Sequence, residues 1–196
     1  MIFQRKTAKV LGTPIDVLTW DEAIGRLLAW ARNHDSRSVC ICNVHSVVTA
    51  RQDPEFSQIV HEADMATPDG APVAWMLRRL GFTGQSRING PDLMWRFCQE
   101  CQKQLSGPPG NNDKANIPSL YLYGGSETTL TLLQARLLEQ FPGLTIAGAY
   151  SPPFRPLSDA EDAAVVEAIN ASGAGVVWVS LGCPKQEKWI AAHQGR

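Results

Sequence analysis

Apolar and polar positions follow two periods along this chain. Ala23, Ile24, Leu27, Leu28 and Ala31 recur at helical spacing behind Thr19-Trp-Asp-Glu22, a capping-box pattern with Leu18 before it. Ahead of that helix, Lys9–Leu18 reads as one or two short strands broken at Gly12-Thr-Pro14. Ser38–Cys42 is a β-rich run ended by Asn43, and helices are predicted to Gln52 and over Pro54–Ala63. Met65–Thr67 is a short strand closed by Pro68-Asp-Gly70, and a helix follows over Ala71–Leu80. Gly81–Asn89 is a loop, Pro91–Leu105 a helix with Asp92 at its start, and Ser106–Pro118 a Gly/Pro/Asn-rich surface loop.

The second half is more regular. Leu120–Tyr123, Leu144–Tyr150 and Gly175–Leu181 are strands, separated by helices from Ser126 to Phe141 and over Ser158–Ala171. Asp159, Glu161 and Asp162 complement the dipole of the latter. A last helix opens at Gly182-Cys-Pro-Lys-Gln-Glu187. Strand–helix alternation at this spacing predicts parallel pairing through right-handed crossovers. The Val176-Val-Trp-Val179 run suits a central strand covered on both faces. The expected architecture is α/β and Rossmann-like: a mostly parallel sheet, helices on both faces, and small N-terminal strand elements. Ligands of such sheets sit beyond the C-terminal strand ends, where the motif-rich segments fall.

Composition narrows the function classes. A chain of 196 residues, 44% apolar, is a single domain over 1–196 on the usual ~100–200 residues per domain. Eighteen Lys+Arg against nineteen Asp+Glu leave a formal charge of −1, without the broad basic footprint of a dedicated nucleic-acid binder. No apolar run approaches the ~18 residues of a membrane-spanning helix, and the first residues lack a signal-peptide stretch. A cytoplasmic protein is the default, with peripheral membrane contact open. Five cysteines, an odd number with no export signal, argue for thiols. Cys98 and Cys101 lie in a helix interior and Cys40 and Cys42 on one strand face, so buried thiols are favoured over a zinc site.

Several residues carry candidate chemistry. Asp69 is either a turn or N-cap aspartate or a general base at a strand end. Gly124-Gly125-Ser126 is either a tight strand-to-helix turn or a backbone approach to phosphate at a helix N-terminus. Lys185, Gln186 and Glu187 offer a cation, an amide and a carboxylate to a ligand, or form a solvated helix start. Asn43 and His45 follow a buried strand, and His45 is either structural or functional. Arg87 pairs with phosphate or with a nearby carboxylate; Phe154 stacks a base or folds into its loop. No strand ends in Asp-x-Asp, so a metal-chelated diphosphate site is not indicated, and no metal or cofactor is expected. No Gly-x-Gly-x-x-Gly or Gly-x-Ser-x-Gly pattern occurs.

Taken in order, Asn43-x-His45, Ala63-Asp64, Pro68-Asp-Gly70, Arg87-x-x-Gly90-x-Asp92, Tyr123-Gly-Gly125, Gly148-x-Tyr150-x-Pro-Pro-Phe154 and Gly182-x-Pro-Lys-Gln-Glu187-x-Trp189 form a specific set. The chain resembles the WecG/TagA/CpsF glycosyltransferase family from about residue 9 to its last residue. The resemblance implies an inverting, metal-independent glycosyltransferase of bacterial surface-polysaccharide synthesis. It would move a sugar from a UDP-sugar donor to a polyprenyl-diphosphate-linked saccharide at the inner face of the plasma membrane. It implies Asp69 as general base and Arg87 and Gln186 in the active-site pocket. It also implies that Gly124, Gly125 and the Tyr150–Phe154 segment hold the UDP part.

Two departures stand out. Ile41 occupies a position where many relatives carry Thr, so any role of that hydroxyl is lost. Relatives usually continue beyond the position of Arg196 with a strand and a basic appendage that touches the membrane and lends arginines to the site. The expectation is therefore a truncated chain, weak or inactive alone and prone to homo-oligomerise through apolar residues left uncovered. The alternatives are another Rossmann-like nucleotide-cofactor enzyme, or a non-catalytic nucleotide-sugar-binding domain. Asn43-Val-His45 supplies no glycine-rich loop for the former.

Overall fold

The structure is a computed structural model that describes residues 5–106 and 117–196. The loop predicted over Ser106–Pro118 lies almost wholly outside these residues, as do the first four positions. The described chain forms two compact units. One comprises Met1–Leu27, Ser36–Met94 and Gly182–Gly195; the other Leu28–Asp35, Trp95–Leu181 and Arg196. They interleave in sequence, and helices α1 (Trp20–Asn33) and α5 (Gly90–Ser106) each begin in the first unit and end in the second.

In the first unit, β1 (Thr7–Val10) and β2 (Thr13–Asp16) form an antiparallel hairpin. Its two-residue turn, Leu11-Gly12, has φ of 51° and 93°, the doubly positive geometry of a type I′ turn. The sequence places the break one or two residues later, because leucine is a poor signal for a left-handed position. β3 (Val39–Cys42) runs parallel to β4 (Met65–Pro68), joined through α2 (Val44–Gln52) and α3 (Pro54–Glu62). α4 (Ala71–Arg79) follows β4. The core is apolar: Ile15, Val47, Phe56, Val60 and Leu77 are buried with Cys40 and Cys42, which share the inward face of β3.

One charged cluster is set into this core. Asp16, fully buried, accepts from the Arg5 guanidinium at 2.8 and 3.1 Å and from the Ala66 amide of β4 at 2.6 Å. Arg26 of α1 lies 3.7 Å from its other oxygen. A buried carboxylate needs partners on this scale, and these fasten hairpin and helix to β4. β4, which leads into Asp69, is thereby held at its Ala66 amide.

In the second unit, β5 (Leu120–Gly124) lies between β6 (Ile146–Tyr150) and β7 (Val176–Ser180), parallel to both. α6 (Glu127–Gln140) and α7 (Asp159–Ala171) make the crossovers. Every residue of β5 is buried. This corrects the lateral order: the fully covered central strand is β5, whereas β7 pairs with β5 alone among the described residues and is partly exposed. An apolar run reports faces covered, here by contacts such as Trp178 edge-on to Phe97 at 6.1 Å, and carries no record of lateral neighbours. The class is α/β, with β3–β7 in parallel ladders. The described ladders form separate small sheets where one continuous sheet was expected.

The predicted caps are present. Thr19 and Glu22 satisfy each other's amides at 2.6 and 3.2 Å. Ser158 and Glu161 form the same box at α7, where only the acidic first turn was expected. α5 starts two residues before the expected Asp92: the Asn89 side chain accepts from the Asp92 amide at 2.9 Å, making Asn89 the cap.

Candidate active site

Asp69 stands just past the C-terminal end of β4. Its amide donates to Cys42 O at 2.9 Å, continuing the β3–β4 ladder by one step. On the other side the Ile88 amide donates to Pro68 O at 3.0 Å, so the strand end is held from both flanks. The turn then needs Gly70, whose φ of 85° lies in the region L side chains avoid. Gly70 is itself the N-cap of α4, with no side-chain cap bond. The Asp69 carboxylate is therefore not spent on capping. It accepts from Arg87 Nε at 3.2 Å; Asp69 is mostly covered (18% exposed) and Arg87 half open (52%).

Two positions before Arg87 stands a residue that sequence reasoning missed. Gln85 is buried, and its amide group bridges the Leu18 backbone, accepting from Leu18 N at 3.1 Å and donating to Leu18 O at 2.9 Å. Arg78 of α4 donates to Gln85 O at 2.9 Å. A glutamine in a polar loop carries no signal for this; only its burial reveals it.

Two helix N-termini in the same unit hold further predicted residues. Asn43 caps α2 by accepting from the Ser46 amide at 3.1 Å, while His45 is exposed on the first turn. Ser46 Oγ also approaches Cys183 Sγ at 3.7 Å. Beyond Cys183, α8 (Lys185–His193) begins with an exposed Lys185. The Gln186 side chain is gripped at both ends: its Oε1 accepts from Gly182 N at 3.1 Å and its Nε2 donates to Glu187 Oε1 at 2.9 Å. Glu187 is 2% exposed, so it presents no free carboxylate to solvent; its second oxygen is buried without a hydrogen-bond partner. Lys188 carries α8 onto α3, pairing with Asp53 at 3.1 Å and Glu55 at 2.6 Å. The two carboxylates raise its pKa, and Asp53, bonded to the Phe56 amide and to Lys188, is lowered. Gln194 donates to Asp64 at 3.1 Å, and the Gly195 amide to Ser36 Oγ at 2.7 Å.

The second unit carries Gly124, Gly125, Tyr150 and Phe154, all at or past strand ends. Gly124 has φ of 109°, and a Cβ there would collide with the Ser180 carbonyl of β7, so close strand approach requires this glycine. Gly125 O accepts from Ser151 Oγ at 2.7 Å, tying the end of β6 to the turn, and Ser126 caps α6 at the Thr129 amide (3.1 Å). Tyr150 stacks on Tyr123 at 5.9 Å. Phe154 is fully exposed. Next to it Arg155 grips Glu161 with both nitrogens, at 2.7 and 2.8 Å, anchoring the loop to α7. That pair, with the Ser158 amide and hydroxyl, lowers the Glu161 pKa to about 2.

Among the described residues no group of three His, Cys, Asp or Glu side chains is placed to hold a metal ion, and no helix is long and apolar enough to cross a membrane. The five cysteines are free; burial pushes Cys40, Cys98 and Cys101 up to about 12, and Cys42 well above its ordinary value.

Comparison with known proteins adds the following. The model of the glycosyl transferase WecG/TagA/CpsF family matches residues 8–196. A Bacillus spizizenii protein named N-acetylglucosaminyldiphosphoundecaprenol N-acetyl-beta-D-mannosaminyltransferase is 29% identical over 145 residues, covering 74% of this chain and 50% of the relative. A Staphylococcus aureus protein of the same name is 25% identical over 194 residues, covering 97% of this chain and 70% of the relative. The chain thus spans half the length of the first relative and 70% of the second.

Proposed function

Because the chain belongs to the glycosyl transferase WecG/TagA/CpsF family, we propose that it transfers a sugar from a UDP-sugar to a polyprenyl-diphosphate-linked saccharide, with inversion at the anomeric carbon. The relatives' names make N-acetylmannosamine the first sugar to try and polyprenyl-diphosphate-linked N-acetylglucosamine the first acceptor. The observation that carries the reading is the Asp69 carboxylate: it stands at a parallel strand end, caps nothing, and is held by Arg87.

In this reading Asp69 takes the proton from the acceptor hydroxyl as its oxygen attacks the anomeric carbon. Arg87 holds the carboxylate in place. The Gln186 amide, fixed by Gly182 and Glu187, keeps its orientation for a ligand hydroxyl or phosphate. Asn43, His45 and Lys185 complete the first unit's share. The second unit's Gly124–Gly125 turn, Tyr150 and Phe154 take the UDP part. Negative charge growing on UDP is met by backbone amides and cations. The reaction is read as metal-independent, as the family resemblance implies, and the lack of a strand ending in Asp-x-Asp agrees with that. The whole of residues 1–196 is read as a transferase domain acting at the cytoplasmic face of the membrane.

Calorimetric titration of UDP in EDTA tests the donor site. Saturable binding is the expected result. A folded sample that binds no UDP, in EDTA or with added Mg²⁺, overturns the donor assignment, and binding only with Mg²⁺ overturns metal independence.

A further inference from the structure

Among the predicted site residues with charged side chains, Glu187 alone is buried, at 2% exposed. At that burial its carboxylate serves a neighbour and not a ligand. The neighbour is the half-buried Gln186, whose Nε2 donates to Glu187 Oε1 at 2.9 Å while its Oε1 accepts from the Gly182 amide at 3.1 Å. Both partners work in one direction only: a backbone N–H donates and a carboxylate accepts. Reversing the Gln186 amide would set donor against donor at Gly182 and acceptor against acceptor at Glu187. Once these two bonds are made, one N–H of Nε2 and one lone pair of Oε1 are left over.

A side chain reaching back from the first turn also braces a helix start, and that accounts for the bond to Gly182. It does not account for Glu187. A carboxylate buried with its second oxygen lacking a hydrogen-bond partner is costly, and an apolar side chain of similar volume would fill the same space without that penalty. What the carboxylate supplies, and an apolar residue cannot, is an acceptor for the Gln186 N–H. A site held in one geometry needs such support behind the side chain that meets the ligand. The hydroxyls and phosphates of the proposed reactants are rich in acceptor oxygens, so the remaining N–H is the half of the amide a substrate uses.

We propose that Glu187 is a positioning residue: it fixes the polarity of the Gln186 amide, so that Gln186 acts as a hydrogen-bond donor to an oxygen of the bound substrate. Gly182, Gln186 and Glu187 all belong to the first unit. The inference rests on the transfer reading for its use, and it assigns Glu187 no contact with the ligand.

Side-chain NMR and a mutant cycle test it. In a chain isotope-labelled at its glutamine side chains, the Gln186 Nε2 signals are those lost in Gln186→Ala. In the wild type, without donor or acceptor, its two proton signals are well separated, because one proton sits on a carboxylate and the other does not. Glu187→Met fills the space but offers no acceptor, and the pair moves to the position of solvent-exposed glutamines. Glu187→Gln keeps an acceptor oxygen, and the pair stays apart. Transfer is read as UDP release from UDP-N-acetylmannosamine with a polyprenyl-diphosphate-linked N-acetylglucosamine acceptor. Gln186→Ala and Glu187→Met each lower kcat/KM by about tenfold, the loss of one hydrogen bond to the substrate. The double variant falls no further than Gln186→Ala. Glu187→Gln recovers to within about threefold of wild type.

Unmoved Gln186 signals in Glu187→Met overturn the proposal. So does wild-type transfer by Gln186→Ala, or a Glu187→Gln as impaired as Glu187→Met. A double variant whose loss is the product of the two single losses also overturns it and marks Glu187 as structural. Glu187→Gln and Gln186→Ala keep the test readable if Glu187→Met melts early. A wild type that transfers nothing overturns the transfer reading instead, and the Gln186 signals still decide whether Glu187 sets the amide.

Discussion

Replacing Asp69 with Asn separates two energies that a structural and a catalytic aspartate would spend differently. The side chain makes one ion pair, at 3.2 Å, to an Arg87 that is 52% exposed. Pairs this open contribute about 0–1 kcal/mol, and Asn keeps an oxygen to accept from Arg87 Nε. The carboxylate caps no helix, and the Asp69 amide bond to Cys42 O belongs to the backbone and survives. The expected stability loss is therefore under about 1 kcal/mol, or at most about 4 °C in Tm for a chain of this size. A general base contributes at least about 100-fold to turnover, about 2.7 kcal/mol of barrier. Asp69→Asn should therefore melt within a few degrees of wild type, bind UDP equally, and transfer at least about 100-fold more slowly. The assay is release of UDP against a polyprenyl-diphosphate-linked N-acetylglucosamine acceptor, with thermal melts on the same samples. Near-wild-type turnover refutes the base; a large fall in Tm returns Asp69 to a structural role.

Three further outcomes follow from the same geometry. Asp16→Ala takes the carboxylate from between Arg5 and Arg26 and leaves the Ala66 amide unsatisfied, so stability falls by about 3–5 kcal/mol in a denaturant titration. At pH 8 iodoacetamide should label Cys183 slowly in the native chain and all five thiols only after unfolding, read by mass spectrometry, because burial keeps the other four neutral. Since those folded thiols sit above their unfolded values, for Cys40 at about 12 against 9.0, their contribution to stability is intact below pH 9.0 and declines above it. Glu161 is shifted the opposite way by Arg155 and Ser158, to about 2 from 4.5; its contribution is present above 4.5 and disappears as pH falls through about 2. An NMR titration of its carboxyl should give that low midpoint, and Arg155→Ala should move it upward.

What the sequence made legible was local chemistry. Thr19–Glu22 announces its helix because both partners of a capping box lie within one turn, and the acidic first turn of Asp159, Glu161 and Asp162 announces α7. Asn43, Pro68–Gly70 and Gly124–Gly125 mark strand ends for the same reason. The errors are equally local in origin. The start of α5 lies at Gly90 behind an Asn89 cap, ahead of the expected Asp92, and the Leu11-Gly12 turn lies ahead of the expected break because leucine seldom takes φ above zero. What the sequence hid is long-range. The lateral order of β5 and β7 is set by pairing partners, not by how apolar each run is. Gln85 reaches Leu18, Lys188 reaches Asp53 and Glu55, and Asp16 reaches Ala66, none at a spacing any pattern encodes. At the candidate site the residue types were readable and their posture was not: Asp69 is uncapped and paired, His45 exposed, and Glu187 buried beneath Gln186.

The docking of α8 on α3 and β3 has a consequence for how the chain is made. Asp53, Glu55, Ser46 and Asp64 leave the ribosome early, but their partners Lys188, Cys183 and Gln194 emerge only after the whole of β5, β6 and β7. Nascent chains ordinarily fold from the N-terminus onward. Here the Cys183 that packs against the core of Cys40 and Cys42 is synthesised only after the strands of the second unit. Lys185, Gln186 and Glu187, on α8, are the last of the candidate residues to arrive. A chain released before α8 lacks the Gln186 amide and the Lys188 pairs to Asp53 and Glu55. The pairs that α8 makes with α3 therefore form only on chains that have been translated through α8.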